Sequence, residues 1–262
     1  MVGYRALDVP DTVHLGLPSA ALTFIVSLDD GVEAAETAAT LADARPAPVV
    51  LGGLHVRASH VRQRRGQAGV QMAVHPLAAR ALFGMPSAEL SVRDFDAVAL
   101  LGRRAGELRD RLAEAGGWPE AFDLSAGYLV EAWRERGSGL VRPELAHAWH
   151  LMERSRGRAP VAAVAERVGL SARHLTTLFR REVGRSPKMV AMLMRFQHAT
   201  TRIADSVRRC GRVNLADVAA ATGYYDQAHL TREFVRFAGV PPRAWLTEEF
   251  RNLQAGGHQS QP

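Results

Sequence analysis

The feature that most restricts how this chain can fold is a duplication in its second half. Val164-Ala165 and Gly169 recur as Val218-Ala219 and Gly223, at an offset of 54 residues. Ser171, His174-Leu175-Thr176, Phe179, Gly184 and Pro187 recur as Asp226, His229-Leu230-Thr231, Phe234, Gly239 and Pro242, at an offset of 55. The second copy therefore carries one extra residue in its turn. A unit of this size, repeated once, is a supersecondary motif rather than a solenoid repeat.

Each copy has the grammar of a helix-turn-helix. Ala165 and Ala219 offer a small side chain where a second helix must cross close by, and Gly169 and Gly223 supply the positive φ of the turn. Ser171 and Asp226 fall at the N-cap of the next helix, where a side-chain oxygen accepts from an otherwise unpaired backbone N–H. Helices are predicted over about 172–183 and 227–238, with Leu175 and Phe179, or Leu230 and Phe234, as inward i,i+4 pairs. Their outer faces carry Arg173, Thr176, Thr177 and Arg180 in one copy and Gln227, His229, Thr231, Arg232 and Arg236 in the other. Arg and Gln pair in bidentate fashion with guanine and adenine edges, while Thr presents a hydroxyl and a methyl for thymine. A solvated helix face accounts for one such copy; two copies with the same turn and cap point to a shared ligand.

Between the copies, KMVAMLMRFQHATTRIADSV follows Pro187 without a glycine or proline. It reads as a helix of roughly 18 residues, about 27 Å long, enough to set two reading helices about one DNA turn, roughly 34 Å, apart. Met189, Met192 and Leu193 within it read as core rather than as a cofactor box.

Charge indicates which ligand. The net charge is +6, yet residues 1–142 hold 15 Arg and no Lys against 17 Asp and Glu, a net of −2. Residues 143–262 hold 17 Arg and one Lys against 10 Asp and Glu, a net of +8. Cationic side chains that neutralise phosphates release condensed counterions, so the second half suits a polyanion; a merely soluble basic domain is the plain alternative.

The first half follows another pattern. Leu22 to Leu28, Val49 to Leu51, Leu54 to Val61 and Val70 to Val74 are short apolar runs between turn residues, which marks β-rich territory. The polar QRRGQ between Leu54–Arg62 and Val70–His75 predicts a hairpin. From Phe95 the period becomes helical, through Val98, Leu101, Ala105, Leu108 and Leu112, until Gly116-Gly117; a second helix is expected over about 124–136. The glycine-rich RGSGLVRP, residues 136–143, marks a boundary between domains at 1–140 and 143–255. The expected fold class is α+β: a β-rich domain with a helical extension, then an all-α domain of two helix-turn-helix motifs joined by a long helix.

Three segments, AERVGLSARHLTTLFRREVGRSP, RFQHA and ATGYYDQAHLTREFVRFAGVPPRAW, resemble the DNA-binding domain of the AraC family of bacterial transcription regulators, over about residues 145–250. The resemblance implies a sequence-specific regulator that binds double-stranded promoter DNA with both second helices in adjacent major grooves. By position it assigns base-facing roles to Arg173, Thr176 and Thr177, and to Gln227, Ala228, Thr231 and Arg232. Thr177 stands where a longer basic side chain is common among relatives, which implies a weaker or different readout there. Phosphate contacts are expected from helix N-termini near Ser171, Pro187 and Asp226. The family's first half is usually a sensing or dimerising domain, often a cupin-like barrel, which the β-rich pattern matches. It leaves room for a small-molecule effector and for a homodimer.

Other chemistry is less well supported by the residues. His14, His55, His60 and His75 match no compact metal-ligand spacing, so no metal and no cofactor are expected. Arg57, Arg62, Arg64 and Arg65 read as a solvated hairpin tip more readily than as an anion site. Cys210, the sole cysteine, lies among arginines in RRCGRV with no acid or base partner nearby, and reads as an exposed thiol in a loop. No P-loop, nucleophile elbow or carboxylate pair is present. A non-enzymatic regulator is the expectation. A cupin-like small-molecule-binding or metal-dependent enzyme with an accessory DNA-binding module is the alternative, and a module for an acidic protein partner is a third. The chain has no run of 18 apolar residues and no signal-peptide pattern, so the expected location is the cytoplasm, away from membranes.

Overall fold

The computed structural model describes residues 1–6, 11–90, 96–137 and 141–254, with side chains up to residue 248. The described strands form two antiparallel sheets. The larger has the spatial order β1 (Val2–Arg5), β7 (Ala68–Val74), β3 (Leu22–Ser27) and β5 (Val49–Gly52); the smaller has β2 (Thr12–Gly16), β6 (Ser59–Gln63) and β4 (Ala34–Ala35). Strand periodicity gives the larger sheet two unlike faces. Leu22, Phe24, Val26, Val70, Met72 and Val74 pack with Phe83, Leu101, Leu108 and Leu112 in one hydrophobic core. Those partners come from α1 (Ala79–Phe83), α2 (Val98–Leu101) and α3 (Arg103–Ala113), and α4 (Trp118–Arg136) joins them through Ala121. Phe24 meets Phe83 edge-on, with ring centroids 5.8 Å apart. The other face of the sheet looks toward the smaller sheet.

Three expectations for this half change. The segments 54–62 and 70–75 do not form a hairpin: β6 pairs with β2 and β4, while β7 pairs with β1 and β3. The connection crosses from one sheet to the other, and Ala68 donates its N–H to Asp29 Oδ2 at 2.9 Å. The helical stretch is broken by Gly102, at φ +61°, into α2 and α3, and Phe95 lies outside the described residues. Finally, α4 starts at Trp118, where Pro119 fits the first turn and its missing N–H costs nothing. In the boundary segment, residues 138–140 lie outside the described residues.

The second half is helical, as expected. It comprises α5 (Pro143–Arg154), α6 (Val161–Arg167), α7 (Ala172–Val183), α8 (Pro187–Cys210), α9 (Leu215–Thr222), α10 (Gln227–Ala238) and α11 (Pro242–Gln254). The linking helix α8 has 24 residues, or about 36 Å, and is longer than its sequence predicts because only Gly211, at φ +66°, ends it. Cys210 is accordingly the last, exposed residue of this helix rather than part of a loop.

The cores divide in an unexpected place. Leu145, Trp149, Val164, Leu175, Phe179 and Val190 share the core of the β-rich half, whereas Leu193, Phe196, Ile203, Leu215, Leu230, Phe234 and Phe237 form a second core. The first helix-turn-helix is thus packed onto the β-rich half, and the second is carried on the far part of α8.

Polar contacts reinforce the first junction. Arg80 Nε donates to Glu182 Oε2 at 2.7 Å, and Ser87 Oγ donates to the Glu182 carbonyl at 3.2 Å. The hydrogen bond from Arg80, aided by its charge and by Arg181, holds the Glu182 carboxyl below the ordinary carboxylate range. A depressed carboxylate stabilises the fold above its unfolded pKa and loses that contribution as pH falls through the folded value. Glu182→Gln should therefore cost about 1 kcal/mol at pH 7, a figure kept small because Arg80 is partly solvated, and the cost should shrink by pH 4. Urea unfolding of both proteins at the two pH values measures it; an equal cost at both would exclude the ion pair as its source.

Candidate nucleic-acid interface

The turns and caps of the two motifs form as their sequence dictates. Gly169 and Gly223 adopt φ +70° and +83°. Ser171 Oγ accepts from His174 N at 3.2 Å, and Asp226 Oδ1 from His229 N at 2.6 Å. Leu175, Phe179, Leu230 and Phe234 are fully buried. With the inner face of each helix fixed, the opposite face is presented outward.

On α7, Arg173 and Thr177 are exposed and Thr176 is half-buried; on α10, Gln227, Ala228 and Arg232 are exposed and Thr231 is half-buried. Each trio or quartet shares one helix face at i,i+3 and i,i+4 spacing. Thr176 Oγ1 donates to the Ala172 carbonyl at 2.7 Å and Thr177 Oγ1 to the Arg173 carbonyl at 3.1 Å. Their hydroxyl protons are thereby engaged, which leaves lone pairs and methyl groups for a ligand. Arg173, Arg180, Arg232 and Arg236 make no ion pair with a described residue. Ser186, the N-cap of α8, accepts from Met189 N at 3.3 Å, which leaves the Pro187 end of that helix in the capped geometry expected of it.

Two features lay outside the sequence reading. Tyr225, beside the N-cap of α10, is 93% exposed, and its backbone N–H donates to His229 Nδ1 at 3.4 Å. Its only sequence signal was a second tyrosine ahead of Asp226. Beneath α10, Glu233 is buried and accepts from Tyr224 Oη at 2.6 Å and from Arg195 of α8 at 3.0 Å. Burial and the neighbouring carboxylate keep the Tyr224 phenol protonated. Nothing in the repeat pattern marked this triad, because its first-copy counterpart is absent: Leu178 stands where Glu233 does, one residue before Phe179.

The histidines do not assemble into a metal centre; among the described residues no group of three metal-ligating side chains occurs. His14 and His55 line a cavity between the sheets, while His75 accepts from Leu77 N and packs against Trp149. Arg62 and Arg64 pair with Glu33. No helix among the described residues is long and apolar enough to cross a membrane.

A β-rich domain fused to a duplicated, basic helix-turn-helix reader is the architecture of a DNA-binding transcription regulator. Residues 164–248 match the family model described as a helix-turn-helix domain. Among solved structures, ToxT from Vibrio cholerae has the same two-part fold, with a TM-score of 0.52 and 9% identity over 94% of this chain and 96% of that one. An unsaturated-fatty-acid-bound ToxT of the same organism gives 0.51 and 8%, over 94% of each chain. At such identity the likeness concerns the fold alone. No curated protein sequence matches the chain.

Proposed function

We propose that the chain reads promoter DNA in the cytoplasm by placing α7 and α10 in adjacent major grooves, with residues 143–255 as reader and 1–140 as sensing domain. Arg173, Thr176 and Thr177 contact bases in one groove, and Gln227, Ala228, Thr231 and Arg232 in the other. The observation that carries this reading is the duplicated outer face: both helices are locked inward by the same Leu and Phe positions, and both present outward arginines that make no ion pair with a described residue. With their hydroxyl protons held by the helix, Thr176 and Thr177 act as acceptors or methyl contacts, which favours adenine, cytosine or thymine edges over guanine O6. ToxT is described as bound to an unsaturated fatty acid. Here the corresponding role falls to the cavity between the two sheets, which can take an effector.

Arg232→Ala is expected to weaken binding to the best site by about 1 to 3 kcal/mol and to relax preference at one operator position. Electrophoretic or fluorescence titrations against single-base operator variants measure both effects. An equal loss on every DNA sequence would show that Arg232 contacts only phosphate.

A further inference from the structure

We infer that Tyr225, the one residue by which the turn of the second motif exceeds that of the first, is an additional DNA contact: its hydroxyl donates to a backbone phosphate at the edge of the second half-site and makes the two half-sites unequal. This rests on reading α10 as a DNA-reading helix.

The backbone identifies Tyr225 as the inserted residue. Leu170 N donates to the Ala165 carbonyl at 2.9 Å in the first turn, and Tyr224 N donates to the Ala219 carbonyl at 3.0 Å in the second, so Leu170 and Tyr224 are equivalent. Past the turn, Leu175 N donates to the Ser171 carbonyl at 2.9 Å and Leu230 N to the Asp226 carbonyl at 3.1 Å, so the two caps are equivalent as well. Ser171 follows Leu170 directly, whereas Tyr225 stands between Tyr224 and Asp226. The extra residue leaves the two cores alike, since Leu175, Phe179, Leu230 and Phe234 are all fully buried. It is absorbed at the cap, where Asp226 has φ −153° against −72° at Ser171, and residue 225 is left on the outside.

The side chain placed there is a bulky aromatic that the motif does not use. Tyr224 takes the inward position and bonds Glu233, so the core has no need of a second tyrosine. Tyr225 is 93% exposed, and the next most exposed large apolar side chain among the described residues is Trp133, at 51%. Its hydroxyl makes no hydrogen bond with a described residue. Its backbone is nevertheless held, because His229 Nδ1 accepts from Tyr225 N and the His229 ring meets Tyr224 edge-on, with centroids 5.2 Å apart. A free phenol on a held backbone is a donor placed in advance, which keeps the ordering cost of a contact small.

Its place relative to α10 decides what it meets. Gln227 and Ala228 open the helix, at the positions from which a reading helix contacts base edges. Tyr225 precedes the cap, so it stands at the wall of the groove, where the phosphates are, rather than over the bases. A phenol suits that place. Asp226 commits its carboxylate to the cap next door and would pair with a cation at 225, whereas a neutral hydroxyl can donate a charge-assisted hydrogen bond to phosphate. The first motif has no counterpart, because its turn has no residue between Leu170 and Ser171.

The test compares the full chain with Tyr225→Phe and Tyr225→Ala on the best two-groove site. The position is exposed, so neither variant should shift thermal unfolding, and the comparison concerns binding alone. Tyr225→Phe should weaken binding about three-fold or more, and Tyr225→Ala, which also loses the ring, about ten-fold. A neutral donor releases no counterion, so the slope of log affinity against log salt should not change, whereas loss of a cation from a phosphate would flatten it by about 0.9. Ethylation interference should show a phosphate beside the second half-site, with no equivalent at the first, whose modification weakens the unmodified chain but not Tyr225→Phe. The inference is overturned if both variants bind within about two-fold of the unmodified chain, a difference too small for a hydrogen bond to a charged group. It is also overturned if the salt slope flattens, if the same phosphates interfere in all three proteins, or if the variants bind normally and lose only transcription, which would assign Tyr225 to a protein partner. Selective binding by the unmodified chain with unchanged variants sinks this inference alone; no selective binding by the unmodified chain sinks the reading of α10 with it.

Discussion

Gly157→Ala is expected to destabilise the protein by about 2 to 5 kcal/mol. Gly157 closes the turn between α5 and α6 at φ +71°, a conformation that costs an L residue about 1 to 2 kcal/mol. A methyl group there would stand 2.0 Å from the Ala191 carbonyl oxygen of α8. That atom is helix backbone and cannot swing aside, so α5 and α8 must separate, and overpacking of this kind adds about 1 to 3 kcal/mol. Gly169→Ala is the control. It has nearly the same φ, +70°, but open space around the new methyl, and should cost only about 1 kcal/mol. Chemical denaturation of the two variants checks the comparison. Equal losses would mean that the backbone conformation, and not the approach of α8, sets the cost.

Glu233→Ala is expected to cost about 3 kcal/mol and to weaken DNA binding selectively at the second half-site. Removing this carboxylate leaves Arg195, whose side chain is only 18% exposed, without its ion-pair partner and leaves the buried Tyr224 hydroxyl without an acceptor. Breaking a buried pair from one side costs about 3 to 5 kcal/mol, and the residual exposure of Arg195 places this case at the lower end. Because Arg195 sits on α8 and Glu233 on α10, the triad also fixes the angle at which the second reading helix leaves its support. Glu233→Gln, which retains an acceptor for Tyr224, should fall between the two. Thermal unfolding and half-site titrations measure the two effects. A Glu233→Ala protein of unchanged stability would mean that Arg195 and Tyr224 find water instead.

What the sequence made legible follows from what local chemistry can specify. The turns at Gly169 and Gly223, the caps Ser171 and Asp226 and the inward Leu–Phe pairs all depend on residues within a few positions of each other, and all appear in the fold. The α+β class follows from the change of hydrophobic period near residue 98. The sheet pairing did not follow, because an alternating strand reads the same whether its neighbour in sequence is its neighbour in space; Asp29 and Glu33, distant in sequence, hold the segment where the chain changes sheets. The length of α8 was underestimated because no residue before Gly211 stops it and Arg208 and Arg209 suit a helix C-terminus. Gly157, the Glu233 triad and the shared core of the β-rich half with the first motif are long-range matters, invisible to periodicity. Of the seven residues assigned to base contacts, the repeated helix face marked six and the family resemblance added Ala228; the structure exposes Arg173, Thr177, Gln227, Ala228 and Arg232 and leaves Thr176 and Thr231 half-buried.

The most direct measurement is a hydroxyl-radical and methylation-interference footprint on the best genomic site, made with the full chain and with Arg173→Ala and Arg232→Ala. Two contacted major-groove segments should lie on one face of the duplex with centres about 10 to 10.5 base pairs apart, each variant losing contacts in only one of them. A single contacted segment, or two whose contacts fade together in both variants, would contradict a reader that engages successive grooves with its two copies.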